Sequence, residues 1–470
     1  MTREEFRTMG YALIDWIADY RDRLPDLSVM SQVQPGEVRR QLPAEPPQQG
    51  GGLSAVLPTL EQTLLPGLTH WQHPAFYGYF PGVAPTSSVL ADLLSTGLGV
   101  NGLSWIASPA VTEMEETMTD WLRQMLGLPA TFSGVIQDTA STACLVALIC
   151  ARERSTSLAQ YGQGIGGYPR PLMVYTSEQA HSSVLKAALL AGFGQENVRL
   201  IPSNAQHALD LEQLALAMDQ DLAAGRQPCA LVATVGSTGT TALDPVAGMA
   251  ALAAQHEVWL HVDAALAGAA MILPECRWMW QGIEQADSIT LNPHKWLGAA
   301  FDCSLYYVRD PQHLTRVMST NPSYLKASQD TQVRTYRDWG IPLGRRFRSL
   351  KLWFLLLDEG VQGLQARLRR DLGYAQWLAQ QVEATPGWTL LAPVPLQTVC
   401  LRYQPEALAG DELDRFTLDW ANRINQSGKA YLTPAILQGR WMVRVAFGAE
   451  ATQLADVEAL WSLLRQQAEG

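Results

Sequence analysis

Between residues 130 and 310 the chain alternates short β-rich apolar runs with helix-patterned segments, and this alternation limits the possible folds more than any other feature. The runs fall at 172–175, 198–201, 230–235, 258–262, 288–291 and 305–308, and stretches such as 211–224 and 245–256 carry the helical pattern between them. Parallel strands need long crossovers, and crossover helices cover both faces of the sheet, so the strands read as continuous apolar runs. An α/β fold with a mainly parallel sheet is expected. In such sheets the chemistry collects at the carboxyl ends of the strands.

The flanks read differently. Residues 318–340 are polar and carry Lys326, Arg334 and Arg337, predicting a mobile loop; 348–362 read as a helix. From about 370 to 470 helices and strands alternate again, enough for a small C-terminal α+β domain. At the other end Thr2 and Glu5 have capping-box spacing, and Phe6, Leu13, Ile17, Tyr20 and Leu24 recur at helical intervals. An amphipathic N-terminal helix follows. Pro25, Pro35, Pro43, Pro46, Pro47 and three glycines at 50–52 make the next stretch an irregular connector. Ahead of so long a connector, the helix covers either its own body or a neighbouring subunit.

Charge and cysteine content narrow the function. The 34 Lys+Arg against 45 Asp+Glu leave a net charge of −11, which argues against a nucleic-acid partner. Six cysteines without CxxC or zinc-ligand spacing predict no metal site and a reducing compartment. The longest apolar run, 143–151, is far too short to span a bilayer, and the charged N-terminus lacks a targeting core. A cytoplasmic protein is expected.

Five places carry residue types suited to chemistry. In Asn292-Pro293-His294-Lys295-Trp296, after the run 288–291, a lysine walled by Trp296 and Leu297 can be desolvated into a nucleophile for Schiff-base formation. Alone it reads as a surface charge. Asp263, ending a strand before Ala264 and Ala265, can hold the ring nitrogen of a flat heterocycle protonated; alone it reads as a helix cap. A lysine and an aspartate at two strand ends are the pair that pyridoxal phosphate needs at opposite sides of its ring. Residues 137–142, before a helical run at 143–152, offer Thr139, Ser141, Thr142 and free N–H groups to a phosphate, or merely a helix cap. His181 can stack on such a ring or serve structure, and Thr238 can meet its hydroxyl or cap a turn.

Together with the segments around His181 and 341–348, these motifs resemble the pyridoxal-phosphate-dependent group II decarboxylases, closest to aromatic-L-amino-acid (DOPA/tryptophan) decarboxylases of bacterial type. The resemblance covers essentially the whole chain. It implies the type I, aminotransferase-like fold, with a seven-stranded sheet in a large domain at 81–350. A helical segment and linker at 1–80 packs on the partner subunit, and 351–470 forms the small domain. It implies a homodimer with active sites at the subunit interface.

Residue by residue, the resemblance makes Lys295 the Schiff-base lysine, Asp263 the partner of the pyridinium nitrogen and His181 the stacked histidine. Ala140 and Ser141 grip the phosphate with Asn292 and His294, while Thr238 and Ala265 line the cofactor. Tyr324 protonates the α-carbon after CO₂ loss through a quinonoid intermediate, and tyrosine rather than phenylalanine there favours amine over aldehyde. Leu343 and Gly344 reach the neighbouring subunit's site.

Trp71, Tyr79, Phe80, Pro81 and Leu103 match the substrate pocket, although core packing also accounts for such residues. Aromatic walls suit a flat ring. The implied reaction is decarboxylation of DOPA, tyrosine, tryptophan or phenylalanine to the amine. Gly82, Leu103 and Leu266 depart from the residues usual at those positions, leaving the preferred substrate open. Glutamate, diaminobutyrate or histidine as substrate, and a non-catalytic homologue, are the alternatives; no arginine in the proposed lining serves an acidic side chain.

Overall fold

A computed structural model describes residues 1–470 except Gly51, Pro81, Ile165, Gly167, 321–332 and Gly470. Two compact units emerge, one of Gly82–Gly373 with Ala392–Thr398, the other of Met1–Pro81, Tyr374–Leu391 and Val399–Gly470.

The larger unit is built on seven strands: β1 (Ser133–Gln137), β2 (Leu172–Ser177), β3 (Val198–Ile201), β4 (Gln227–Thr234), β5 (Trp259–Asp263), β6 (Ser288–Leu291) and β7 (Ser304–Val308). Their order is β1-β7-β6-β5-β4-β2-β3. Neighbours from β6 to β3 pair in parallel, whereas β7 runs antiparallel to both β1 and β6. Because β7 reverses twice over, β1 points the same way as β6. Strands β2, β5 and β6 are buried along their whole length, as expected of a sheet covered on both faces. Helices Ala140–Ser155 and Ser182–Leu190 supply apolar residues such as Ala147, Leu148, Val184 and Ala188 to one core cluster with the strands.

The sequence expectation of a mainly parallel sheet with seven strands is met, and the type I fold with it. Four local details differ. Strand β1, with only Val135 and Ile136 as large apolar residues, gave no sequence signal and is held by its pairing with β7. The helix expected at 143–152 begins at Ala140, with Thr139 Oγ1 accepting the Thr142 N–H at 3.4 Å. The helix expected at 348–362 is two, Ser349–Asp358 and Gly360–Ala384, with Gly360 at φ +63°. The stretch read as a mobile loop ends in a buried turn, Tyr336–Trp339, because Tyr336 and Trp339 join the core and Gln137 Nε2 donates to the Trp339 carbonyl (2.9 Å).

A buried ion pair ties β1 to the segment after that turn. Arg345 Nη2 donates to Glu115 Oε1 (2.6 Å) and to the Ile136 carbonyl (2.8 Å), and Glu115 Oε1 accepts the Ile136 N–H (2.8 Å). Removing the guanidinium strands a carboxylate that is 1% exposed. Arg345→Ala is therefore expected to cost about 3–5 kcal/mol, seen as a lower urea midpoint.

The smaller unit carries a sheet of β8 (Trp388–Leu390), β9 (Thr398–Tyr403), β10 (Thr433–Leu437) and β11 (Arg440–Ala446), in the order β10-β11-β9-β8. Trp388 packs edge-on against Trp420 and Trp461 from helices Gly410–Gln426 and Leu454–Glu469. The N-terminal helix spans Arg3–Arg23 and has the capping box read from Thr2 and Glu5. Its second half binds its own unit, with Trp16 Nε1 donating to Glu61 (3.1 Å) and Tyr20 bonded to His70 (2.8 Å). Phe6, Tyr11 and Ile14 remain exposed. Within the connector lie a 3-10 turn, Leu24–Asp26, and a short helix, Glu37–Gln41, which sequence reading missed. Among the described residues, no helix is long and apolar enough to cross a membrane.

Candidate active site

The strand directions bring distant residues to one edge. In register, Thr234 of β4 faces Asp263 of β5, and Asp263 faces Thr290 of β6. The carboxyl ends of β1, β2, β4, β5 and β6 therefore share one edge of the sheet, where Ala140, His181, Thr238, Asp263 and Lys295 follow or end them.

Lys295 lies in the turn Pro293–Leu297 and is its one residue outside helical φ/ψ, at ψ −112°. The turn is fixed from behind. Trp296 is fully buried, its Nε1 donates to Asp371 (2.8 Å), and Arg367 donates to the carbonyls of Trp296 (3.1 Å) and Leu297 (2.7 Å). Gly298, at φ +100°, has no room for a Cβ, which would sit 2.8 Å from the Arg367 guanidinium. Burial lowers the Lys295 pKa, and the Asp263 carboxylate opposes that shift. The amine is thus biased toward its neutral, nucleophilic form.

Asp263 is 5% exposed, and its Oδ1 accepts the Ala265 N–H (3.0 Å). Two residues back on the same strand face, His261 bonds through Nδ1 to Ser288 Oγ (2.9 Å), and burial lowers its pKa to about 4. A neutral imidazole therefore stands behind the carboxylate. His181 accepts the Ser183 N–H at Nδ1 (3.2 Å), which puts the proton of its neutral form on Nε2. Its pKa is lowered by burial first, raised by Asp263 and lowered by Lys295, so the three groups share one electrostatic field.

Ala140 and Ser141 are the first two residues of their helix, and their N–H groups have no carbonyl one turn back to bond. Asn292 is buried with its Oδ1 lacking a partner among the described residues, a group that a ligand or water would satisfy. His294 is buried, its Nδ1 accepts the Cys303 N–H (2.9 Å), and burial lowers its pKa to about 4. Thr238 is exposed and Ala265 half-exposed. Leu103 is half-buried, with its carbonyl accepting the Arg337 N–H (3.1 Å), while Leu343 and Gly344 are exposed. In the smaller unit Trp71 and Tyr79 are exposed and Phe80 is buried beneath the Arg444 guanidinium, 4.9 Å from its ring. Pro81, Tyr324 and Lys326 lie outside the described residues.

Sequence reasoning passed over Thr234, whose buried Oγ1 lacks a partner among the described residues beside Asp263, and the Glu115–Arg345 pair. The first had a signal, since Thr234 ends a strand that was read. The pair joins residues 230 positions apart and had none.

An anion site at a helix end, a desolvated amine, a buried carboxylate and a neutral imidazole on one sheet edge fit the phosphate, aldehyde, ring nitrogen and ring face of pyridoxal phosphate, and define an enzyme of that class. Residues 35–404 match the family described as the pyridoxal-dependent decarboxylase conserved domain, and the chain belongs to that family. It is 39% identical to tryptophan decarboxylase 2 of Oryza sativa subsp. japonica, covering 100% of this chain and 95% of that one. It is 40% identical to phenylacetaldehyde synthase of Arabidopsis thaliana, covering 100% and 96%. The crystal structure of Oryza sativa TDC with PLP and tryptamine superposes with a TM-score of 0.96, at 35% identity over 100% of this chain and 98% of that one. These relatives are plant proteins, so they lend no support to the bacterial type that the motifs suggested.

Proposed function

We propose that this chain decarboxylates aromatic L-amino acids to the corresponding amines and CO₂. The observation that carries the reading is the placement of Lys295 and Asp263 beyond and at the ends of paired strands, within one field, in a chain akin to a tryptophan decarboxylase over its whole length. Bound pyridoxal phosphate supplies a protonated ring that accepts the electron pair left when the carboxylate departs as CO₂. Lys295 would hold the cofactor's aldehyde carbon through its desolvated amine. Asp263 keeps the ring nitrogen protonated. His181, neutral at Nδ1, covers the ring face, and the N–H groups of Ala140 and Ser141 hold the phosphate with Asn292 and His294. Thr238 and Ala265 complete the cradle. The resemblance assigns Trp71, Tyr79, Phe80, Pro81 and Leu103 to the substrate's side chain.

Tyr324 returns a proton to the α-carbon after CO₂ has left. Tyr324→Phe is expected to lower amine formation and, with O₂ as oxidant, to release aldehyde, ammonia and peroxide along with CO₂. Coupled assays of amine, aldehyde, ammonia, peroxide and CO₂ check this, and an unchanged product removes Tyr324 as proton donor. The similarity to a phenylacetaldehyde synthase makes this the assay that separates the two outcomes of one active site.

The working unit is a homodimer. Phe6, Tyr11 and Ile14 on the N-terminal helix, and Leu90, Leu93 and Leu94 on helix Thr86–Leu98, are exposed apolar surface that a second copy would cover. Exposed Leu343 and Gly344 then meet the partner's site. Six free, buried cysteines suit the reducing cytoplasm. The deciding experiment incubates purified protein and pyridoxal phosphate with a panel of L-amino acids and measures CO₂, amine and aldehyde for each. Turnover of glutamate in place of DOPA, tyrosine, tryptophan and phenylalanine would overturn the substrate assignment.

A further inference from the structure

Within the smaller unit, Tyr79 is held by a residue that no motif singled out. Segment 75–79 lies along Tyr431, with the Tyr77 N–H donating to the Tyr431 carbonyl (2.9 Å) and the Tyr431 N–H to the Ala75 carbonyl (3.1 Å). A Cβ at Gly78 would overlap the Tyr431 ring, so only glycine allows this approach. Tyr79 itself sits at φ +51°, a left-handed conformation that costs energy for a side chain of this size. Two bonds hold it there. Its N–H donates to Thr433 Oγ1 (2.6 Å), and the Tyr431 hydroxyl donates to the Tyr79 hydroxyl (3.0 Å).

Four rings close on one another. Trp71 stacks on Phe76 (4.8 Å) and on Tyr79 (5.4 Å), Phe76 stacks on Tyr431 (5.4 Å), and Tyr431 meets Tyr79 at 5.7 Å. Phe76 is buried at the base of the cluster, while Trp71 and Tyr79 present exposed faces. A strained backbone and a fixed hydroxyl make the direction of the Tyr79 ring a property of Tyr431.

We propose that Tyr431 is a positioning residue for substrate binding, fixing Tyr79 as a rigid wall for the aromatic side chain. The inference rests on the reading of Tyr79 as substrate-lining and adds the residue that sets its geometry. A pre-organised wall spares the ordering cost of binding, so loosening it weakens binding and leaves the chemistry at Lys295 alone.

The test is a double-mutant cycle on the holoenzyme with Tyr79→Phe, Tyr431→Phe and the double variant, all of which keep the rings. Tyr431→Phe is expected to raise KM for aromatic L-amino acids by about three- to tenfold, the size of one hydrogen bond, with kcat within about twofold. Added to Tyr79→Phe, it is expected to raise KM little further, because both remove one bond. An unchanged KM, additive effects, or a loss confined to kcat would each overturn the proposal. Tyr79→Ala separates the two levels. If it too leaves KM unchanged, Tyr79 does not line the site and the proposal falls with that reading; if it raises KM while Tyr431→Phe does not, only the role of Tyr431 is lost.

Discussion

Lys295→Ala is expected to reduce decarboxylation on the order of 10⁴-fold or more, because the proposed covalent hold on the cofactor goes with that amine. Two measurements check this. Wild-type protein with bound cofactor is expected to be yellow, to lose that absorption on borohydride reduction and to carry the label at Lys295. The alanine variant is expected to take no label and to retain on the order of 10⁻⁴ of the turnover or less. Normal turnover by Lys295→Ala would end the mechanism proposed for this chain. Since Trp296, Asp371 and Arg367 hold the turn from its buried side, the substitution is expected to leave the fold intact.

The second large effect belongs to Asp263. Asparagine keeps its shape and its bond from the Ala265 N–H, yet cannot hold a ring nitrogen protonated. Asp263→Asn is expected to lower kcat by about 10²–10⁴-fold, in the range of a lost proton-handling group. A linked effect separates charge from shape. Burial lowers the Lys295 pKa and the Asp263 carboxylate pushes it back up, so removing that negative charge lowers it further. In cofactor-free protein, the pH above which an amine-directed reagent labels Lys295 is expected to move toward acid in Asp263→Asn. A move toward alkaline pH, or none, would place the two groups too far apart to bracket one ring.

Much of this arrangement was legible in the residues, and the reasons are local. Runs such as 172–175 and 288–291 are apolar because both faces of their strands are buried, so the strands declared themselves. Lys295 and Asp263 stood out because each follows such a run closely. Direction was another matter, since 305–308 reads alike whether its neighbours are parallel or antiparallel, and β7 proved antiparallel to both. Strand β1 stayed hidden because Ser133, Gly134 and Gln137 dilute its two apolar residues. Tyr336 and Trp339 were obscured by the polar residues around them, although both are core. Fields and long-range pairs, such as the reach of Asp263 to His181 or of Arg345 to Glu115, exist only once the sheet is assembled.

Strand β7 comes last in sequence among the seven yet lies between β1 and β6. A chain made only through Leu291 lacks Asn292, His294 and Lys295 of the proposed site, and its β1 lacks the one strand it pairs with. Until Val308 has been made, the pairing that joins β1 to the rest of the sheet does not exist, so the proposed site is closed by the last of its strands.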